Sequence, residues 1–221
     1  MSYDANGNLL GDGQYVYKYD PLNRQVAVYL IDGTTKLEES VYNAAGERVA
    51  MVAYQGGAAT GFTKYLREGA AVVYEKSFTL SGGAHSNLSE RTYLYASGGM
   101  AVTKARNLQS NIVTYSYYGI DHLGTARFSR TVDANGAVLP NGDASYAFEP
   151  FGVTIPGPNP APDPSGNTHL YTGQERDALP DGTSIDYMHF RFYGASMGRF
   201  QKPDRKLGTA THFPPSSLGG N

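Results

Sequence analysis

Asp186-Tyr187-Met188-His189-Phe190-Arg191-Phe192-Tyr193-Gly194-Ala195-Ser196-Met197-Gly198-Arg199-Phe200 is the stretch that decides the fold. It opens on alternation. Met188, Phe190 and Phe192 fall on one side of an extended chain, and Tyr187, His189, Arg191 and Tyr193 on the other. Both sides carry large side chains, so the pattern predicts a strand covered on both faces, which a lone hairpin cannot provide. Gly194 to Gly198 reads as a turn with two residues free to take positive φ. Arg199-Phe200 resumes the extended pattern, and Pro203 stops it.

Upstream, one five-residue shape recurs. It stands as Tyr3-Asp4-Ala5-Asn6-Gly7, Tyr19-Asp20-Pro21-Leu22-Asn23 and Tyr42-Asn43-Ala44-Ala45-Gly46. Looser copies are Ile120-Asp121-His122-Leu123-Gly124, Val132-Asp133-Ala134-Asn135-Gly136 and Phe148-Glu149-Pro150-Phe151-Gly152. The first residue ends a strand and packs. The Asp or Asn side chain accepts hydrogen bonds from the turn's own N–H groups, and the Gly or Asn supplies the left-handed residue that reverses the chain. Turn chemistry is the favoured reading of these residues; a binding role for the Tyr-Asp pairs is the alternative. Between the turns, strands are legible over 14–19, 25–31, 48–54, 62–67, 71–80, 91–95, 100–104, 112–118, 127–131 and 137–139, several of them separated by Gly pairs.

These motifs resemble the Rhs/YD-repeat family. Arg191-Phe192-Tyr193, Gly198-Arg199-Phe200 and Pro203-Asp204 are similar to its core signature, an Arg-Tyr-Tyr-Asp-Pro segment leading into Gly-Arg-Phe and Asp-Pro. Asp121-His122-Leu123-Gly124-Thr125-Ala126-Arg127, preceded by Tyr117-Tyr118, and Glu149-Pro150-Phe151-Gly152 match further family motifs in the right order. The first three five-residue copies look like the YD repeat itself, with Arg24 and Arg48 where the family often places an Arg after the turn.

The resemblance implies YD-repeat strands over 1–116, a repeat-associated core over 117–204 and a disordered tail over 205–221. Its fold would be all-β, with antiparallel hairpins forming part of a shell or spiral and little helix. Its role would be the wall around a C-terminal toxin or effector, with the rest of the shell and that cargo as partners. The chain would be a bacterial fragment cut before the effector, secreted or at the cell surface.

Composition agrees with strands. The 221 residues include 18 Tyr and 27 Gly, with no Cys or Trp. A formal charge of −2 gives no general field for nucleic acid, and no apolar run is long enough to span a membrane as a helix. Met1-Ser2-Tyr3-Asp4 does not read as a signal peptide. Residues 153–168, where Pro156, Pro158, Pro160, Pro162 and Pro164 alternate with small or polar residues, read as an extended surface loop, with a proline-recognition ligand as the alternative.

Chemistry is sparse. The five His (His85, His122, His169, His189 and His212) form no close-spaced metal pair, and no cofactor motif is present. His122 beside Asp121 reads as structural hydrogen bonding before an acid–base pair, because neighbours on a strand point apart. Glu38-Glu39 reads as a solvated strand end. Asp204 is the one residue to which the resemblance lends a chemical role, in an aspartyl self-cleaving core. That mechanism needs two carboxylates sharing a proton, and no Asp or Glu follows Asp204. The expectation is therefore a structural segment that is not an enzyme, with the autoprotease and a cell-surface carbohydrate-binding module as competing readings.

Overall fold

Each of the six turns closes in the same way. The second residue's N–H bonds to the carbonyl four residues on, and the fifth residue's N–H returns to the second residue's carbonyl, at 2.8–3.1 Å throughout. The side-chain Oδ1 of Asp4, Asp20, Asp121 and Asp133 each accepts two further N–H groups of its own turn. Gly7, Asn23, Gly46, Gly124, Gly136 and Gly152 all take φ between +58° and +92°. This is a tight turn followed by a left-handed residue, a combination that adds one residue to the strand leaving it.

The structure, a computed structural model, describes residues 1–81, 84–96, 99–156, 165–179 and 183–204. Thirteen strands run in chain order: β1 (Ser2–Tyr3), β2 (Leu9–Gly11), β3 (Tyr15–Tyr19), β4 (Gln25–Leu30), β5 (Lys36–Tyr42), β6 (Arg48–Gln55), β7 (Ala58–Glu68), β8 (Ala71–Ser81), β9 (Ala84–Ala96), β10 (Gly99–Asn107), β11 (Val113–Ile120), β12 (Ala126–Asp133) and β13 (Val138–Ser145). Each pairs antiparallel with the next, so the sheet order is the sequence order. The sheet runs unbroken across residues 116 and 117, inside β11. Gly56-Gly57, both at positive φ, make a two-residue hairpin between β6 and β7.

A ribbon of β14 (Ala147–Phe148) and β15 (Thr154–Ile155) follows. A separate sheet of β16 (Glu175–Ala178), β17 (Ser184–Met188), β18 (Arg191–Gly194) and β19 (Arg199–Phe200) comes last. Among the described residues the only helical segments are two short 3₁₀ turns, Tyr171–Gly173 and Ala195–Met197. The fold is all-β and antiparallel, as the sequence predicts.

The deciding stretch differs from its reading in two respects. It is not one strand over 186–193 but two, because Met188 pairs with Arg191 and His189-Phe190 form the loop. His189 takes φ +62°, a conformation His tolerates better than branched residues, so no Gly or Pro marks the reversal. Tyr187 and Phe192 therefore face each other on one side, ring centroids 5.3 Å apart, and Asp186 pairs with Tyr193 on the other. Of the two glycines expected to be left-handed near the end, Gly198 is (φ +62°) and Gly194 is not (φ −92°).

Burial of Ile185, Asp186 and Tyr187 in succession shows that the small sheet is covered on both faces. One face meets Leu9, Tyr15, Tyr17, Val28 and Leu37 of the first five strands. The other carries the Asp186–Arg176 pair, and Arg176 reaches Thr154 and the Phe148 ring on the ribbon. A second core forms around Val72, Tyr93 and Met100. The Pro-rich positions 157–164, the turn at 180–182 and the tail 205–221 lie outside the described residues.

Two of the turn glycines should respond differently to substitution. A Cβ on Gly136 meets nothing within 4 Å, so Gly136→Ala should cost only the left-handed penalty, about 1–2 kcal/mol. A Cβ on Gly152 would sit 2.6 Å from the Tyr171 ring at the same kind of φ, so Gly152→Ala should cost clearly more. Urea midpoints of the two variants check this; equal losses would contradict it.

Candidate functional site

After four of the six turns the extra residue decides what reaches the interior. Tyr42 faces Arg48 while Val41 faces Ala50, so Val49 is inserted and Arg48 turns onto the face that carries Tyr42, Ser40 and Glu38. The same shift puts Leu9, Gln25 and Ala126 opposite Tyr3, Tyr19 and Ile120, and these three are buried as Arg48 is. Arg24 and Arg48 are not equivalent. Arg24 lies one position nearer its turn and folds back onto Asp20 at 2.6 Å, whereas Arg48 is fully buried.

Arg48 is the hub where the long sheet meets the small one. Its Nη1 lies 2.6 Å from Asp177 Oδ2 and 3.5 Å from Glu38, and its Nη2 lies 3.0 Å from both Asp177 Oδ1 and Glu175 Oε1. Arg67 Nη2 holds the other oxygen of Glu175 at 2.6 Å, and its Nε donates to the Arg48 carbonyl at 2.8 Å. The Tyr187 hydroxyl accepts from the Arg48 N–H at 3.0 Å, and the Tyr187 ring lies 4.5 Å from the guanidinium carbon. Such contacts hold a cation whose hydration has been stripped.

The charges do not balance. Three buried carboxylates, Glu38, Glu175 and Asp177, face two guanidiniums. Burial pushes Glu38 up to about 8, reinforced by the Asp177 charge and opposed by Arg48. Asp177 is also raised by burial, to about 6, against the pull of Arg48. Glu175 is held at about 2 because two arginines and His169 outweigh its burial. Burial and the excess negative charge thus favour the protonated form of Glu38, whose contact to Arg48 is the longest of the three. Glu38 is thus not the solvated strand end that the sequence suggests; its neighbour Glu39 is the outward one, paired with Lys36 at 2.8 Å.

The motif residues of the small sheet converge on the first repeats. Arg199 lies over the Tyr3 ring, a Cβ on Gly7 would touch Pro203, and the Gln201 carbonyl accepts the Leu9 N–H at 2.8 Å. Lys202 donates to the Asn23 carbonyl at 2.9 Å, and the Phe190 ring packs on Gly46. Phe151 packs against Gly198, and its carbonyl accepts the Tyr193 hydroxyl. Pro150 receives the Tyr171 hydroxyl, and Arg176 donates to the Gly152 carbonyl. Asp121 caps its turn and pairs with Arg127, while His122 beside it is exposed.

Asp204 sits 3.4 Å from Arg191, whose guanidinium covers the Phe200 ring at 3.7 Å. The cleft around it, about 480 Å³, is lined also by His189, Met188, Phe190 and Lys202, and Asp204 is the only carboxylate among its described lining residues. Among the described residues no group of His, Asp and Glu is arranged to hold a metal ion, and no helix is long and apolar enough to cross a membrane.

Comparison with known proteins finds no matching family model and no matching curated protein. Solved structures do match. The crystal structure of TcdB2-TccC3 aligns with a TM-score of 0.70 at 19% identity, over 92% of this chain and 10% of that one. The structure of TcdB2-TccC3-Cdc42 aligns at 0.69 and 19%, and that of TcdB2-TccC3-TEV at 0.69 and 18%, with the same coverages. The chain thus spans about a tenth of the length of the structures it matches, and it shares the fold of that segment of TcdB2-TccC3.

Proposed function

We propose that this chain is a wall segment of a closed β shell of the Rhs/YD-repeat type, one that encloses a toxin or effector carried after the core segment. Strand order is the observation that carries the reading. Thirteen strands lie side by side in the order they are made, a sheet that grows by adding hairpins and is open to further pairing at β1 and β13. The small sheet is then locked across it by buried charge and by backbone contacts at Leu9 and Gln201. The fold shared with TcdB2-TccC3 supports the same reading.

The role is structural, and the partners are the rest of the shell and its cargo. The carbohydrate-binding alternative draws on the Tyr content; Tyr15, Tyr17, Tyr93 and Tyr187 are turned inward, and of the exposed tyrosines Tyr3, on β1, lies far in strand order from Tyr95 on β9 and Tyr117 on β11. The autoprotease alternative needs two carboxylates close enough to share one proton. In the cleft at Asp204 the charged neighbours are Arg191 and Lys202 instead. Expressed alone, the chain should keep its mass of 23.8 kDa on prolonged incubation, and Asp204→Asn should leave the mass spectrum unchanged. Release of a discrete C-terminal peptide, abolished by Asp204→Asn, would restore the protease.

A further inference from the structure

Gln201 is the residue at which the two sheets join backbone to backbone. Its N–H bonds to the Phe192 carbonyl of β18 at 2.9 Å, and its carbonyl accepts the Leu9 N–H of β2 at 2.8 Å. Its side chain, buried with the residue at 1% exposure, is aimed into a cavity of about 10 Å³ that it shares with Tyr19 and Gln25. The rings of Tyr42, Phe190 and Phe192 wall this cavity, and Lys202 lies at its margin.

Four polar atoms at this one place find no hydrogen-bond partner among the described residues: Tyr19 Oη, Gln25 Oε1, and both Nε2 and Oε1 of Gln201. A buried amide left in that condition is costly, so groups of this kind are nearly always satisfied. Here they cluster around a space the size of one water centre.

We propose that this cavity binds a single ordered water molecule, which bridges Tyr19 and Gln25 of the long sheet to Gln201 at the end of the small one. The chemistry of the lining selects water over an ion. The site offers at least one donor, the Gln201 amide, together with amide and phenol oxygens as acceptors, and a water molecule serves both kinds at once. A cation would be repelled by the Gln201 amide N–H groups. An anion would face the carbonyl oxygens of two amides. Turning the Gln201 amide end for end leaves the inventory unchanged, because both of its ends lack a partner. The water completes the seam that the backbone bonds of Gln201 begin, and it does so whatever larger assembly the chain belongs to.

Two measurements test it. In a high-resolution crystal structure of the chain, one isolated peak is expected within hydrogen-bond distance of Tyr19 Oη and of both glutamine side chains. An empty cavity, or the two amides turned directly onto each other, overturns the proposal. Gln201→Met, similar in volume but apolar, gives an independent reading through the sign of its effect. If water pairs the amide, the substitution breaks a satisfied network and Tm falls by about 2–4 °C. If the amide is buried without a partner, removing it relieves a penalty, so a Tm that stays level or rises contradicts the bound water.

Discussion

Arg48→Met should destabilise the chain by about 3–5 kcal/mol, the largest loss expected of any single substitution in it. The guanidinium is fully buried and lies within ion-pair distance of Asp177, Glu175 and Glu38. Without it, the Asp177 and Glu175 carboxylates remain out of water beside Glu38, with Arg67 alone to answer them. A loss of that size takes a large share of the 5–15 kcal/mol that holds a typical domain together. The expected reading is a large drop in urea midpoint. Adding Asp177→Leu should recover part of it, because that removes the most tightly held of the abandoned charges. A drop under about 1 kcal/mol would mean that the cluster does not join the sheets.

Glu38→Gln should change the pH dependence of stability instead of its height at acid pH. The Glu38 carboxyl, ordinarily near 4.5, stands at about 8 in the folded chain. Between those values the folded state binds more protons than the unfolded one, so stability falls as pH rises from about 4.5 to about 8 and levels off above. Asp177, raised from 3.8 to about 6, acts in the same sense between those two values. Glu175, held down at about 2, acts in the opposite sense: its contribution is present above about 4.5 and fades as pH falls toward 2. Gln mimics the protonated Glu38 and cannot ionise. The variant should match the wild type near pH 5 and exceed it near pH 8 by an amount on the order of a few kcal/mol. Urea titrations at pH 5, 6.5 and 8 check this. Parallel pH profiles for the two proteins would contradict the proton on Glu38.

The turns were almost wholly legible because their chemistry is local. The aromatic, the Asp or Asn, and the left-handed Gly or Asn at fixed offsets describe a unit that satisfies itself within six residues, and six copies close identically. From those turns the all-β hairpin sheet follows. The charged hub was hidden for two physical reasons. First, the extra residue after the turn at Asn43 reverses the parity of β6, so period-two counting from Ala50 and Val52 puts Arg48 on the wrong face. Second, β16 reads Glu-Arg-Asp-Ala, a composition that signals exposure. It is buried because Glu175 and Asp177 turn to the arginines of the long sheet, while Arg176 turns the other way to Asp186 at 2.7 Å. Each of its charges is satisfied only by residues distant in sequence, and no local pattern records that. The offset itself held a usable signal. Counting five residues on from the second position of a turn gives Leu9, Gln25, Arg48 and Ala126, all of them inside, whereas the same count at the turns of Asp133 and Glu149 gives Val138 and Thr154, both exposed.

The wall reading is tested most directly by grafting this chain in place of the tenth of TcdB2-TccC3 that it matches and imaging the product by cryo-electron microscopy. The expected result is a continuous sheet, with β1 and β13 hydrogen-bonded to the strands on either side of the graft and the small sheet seated on Arg48. Resolved, folded graft strands standing apart from both neighbours, with the wall open between them, would contradict it.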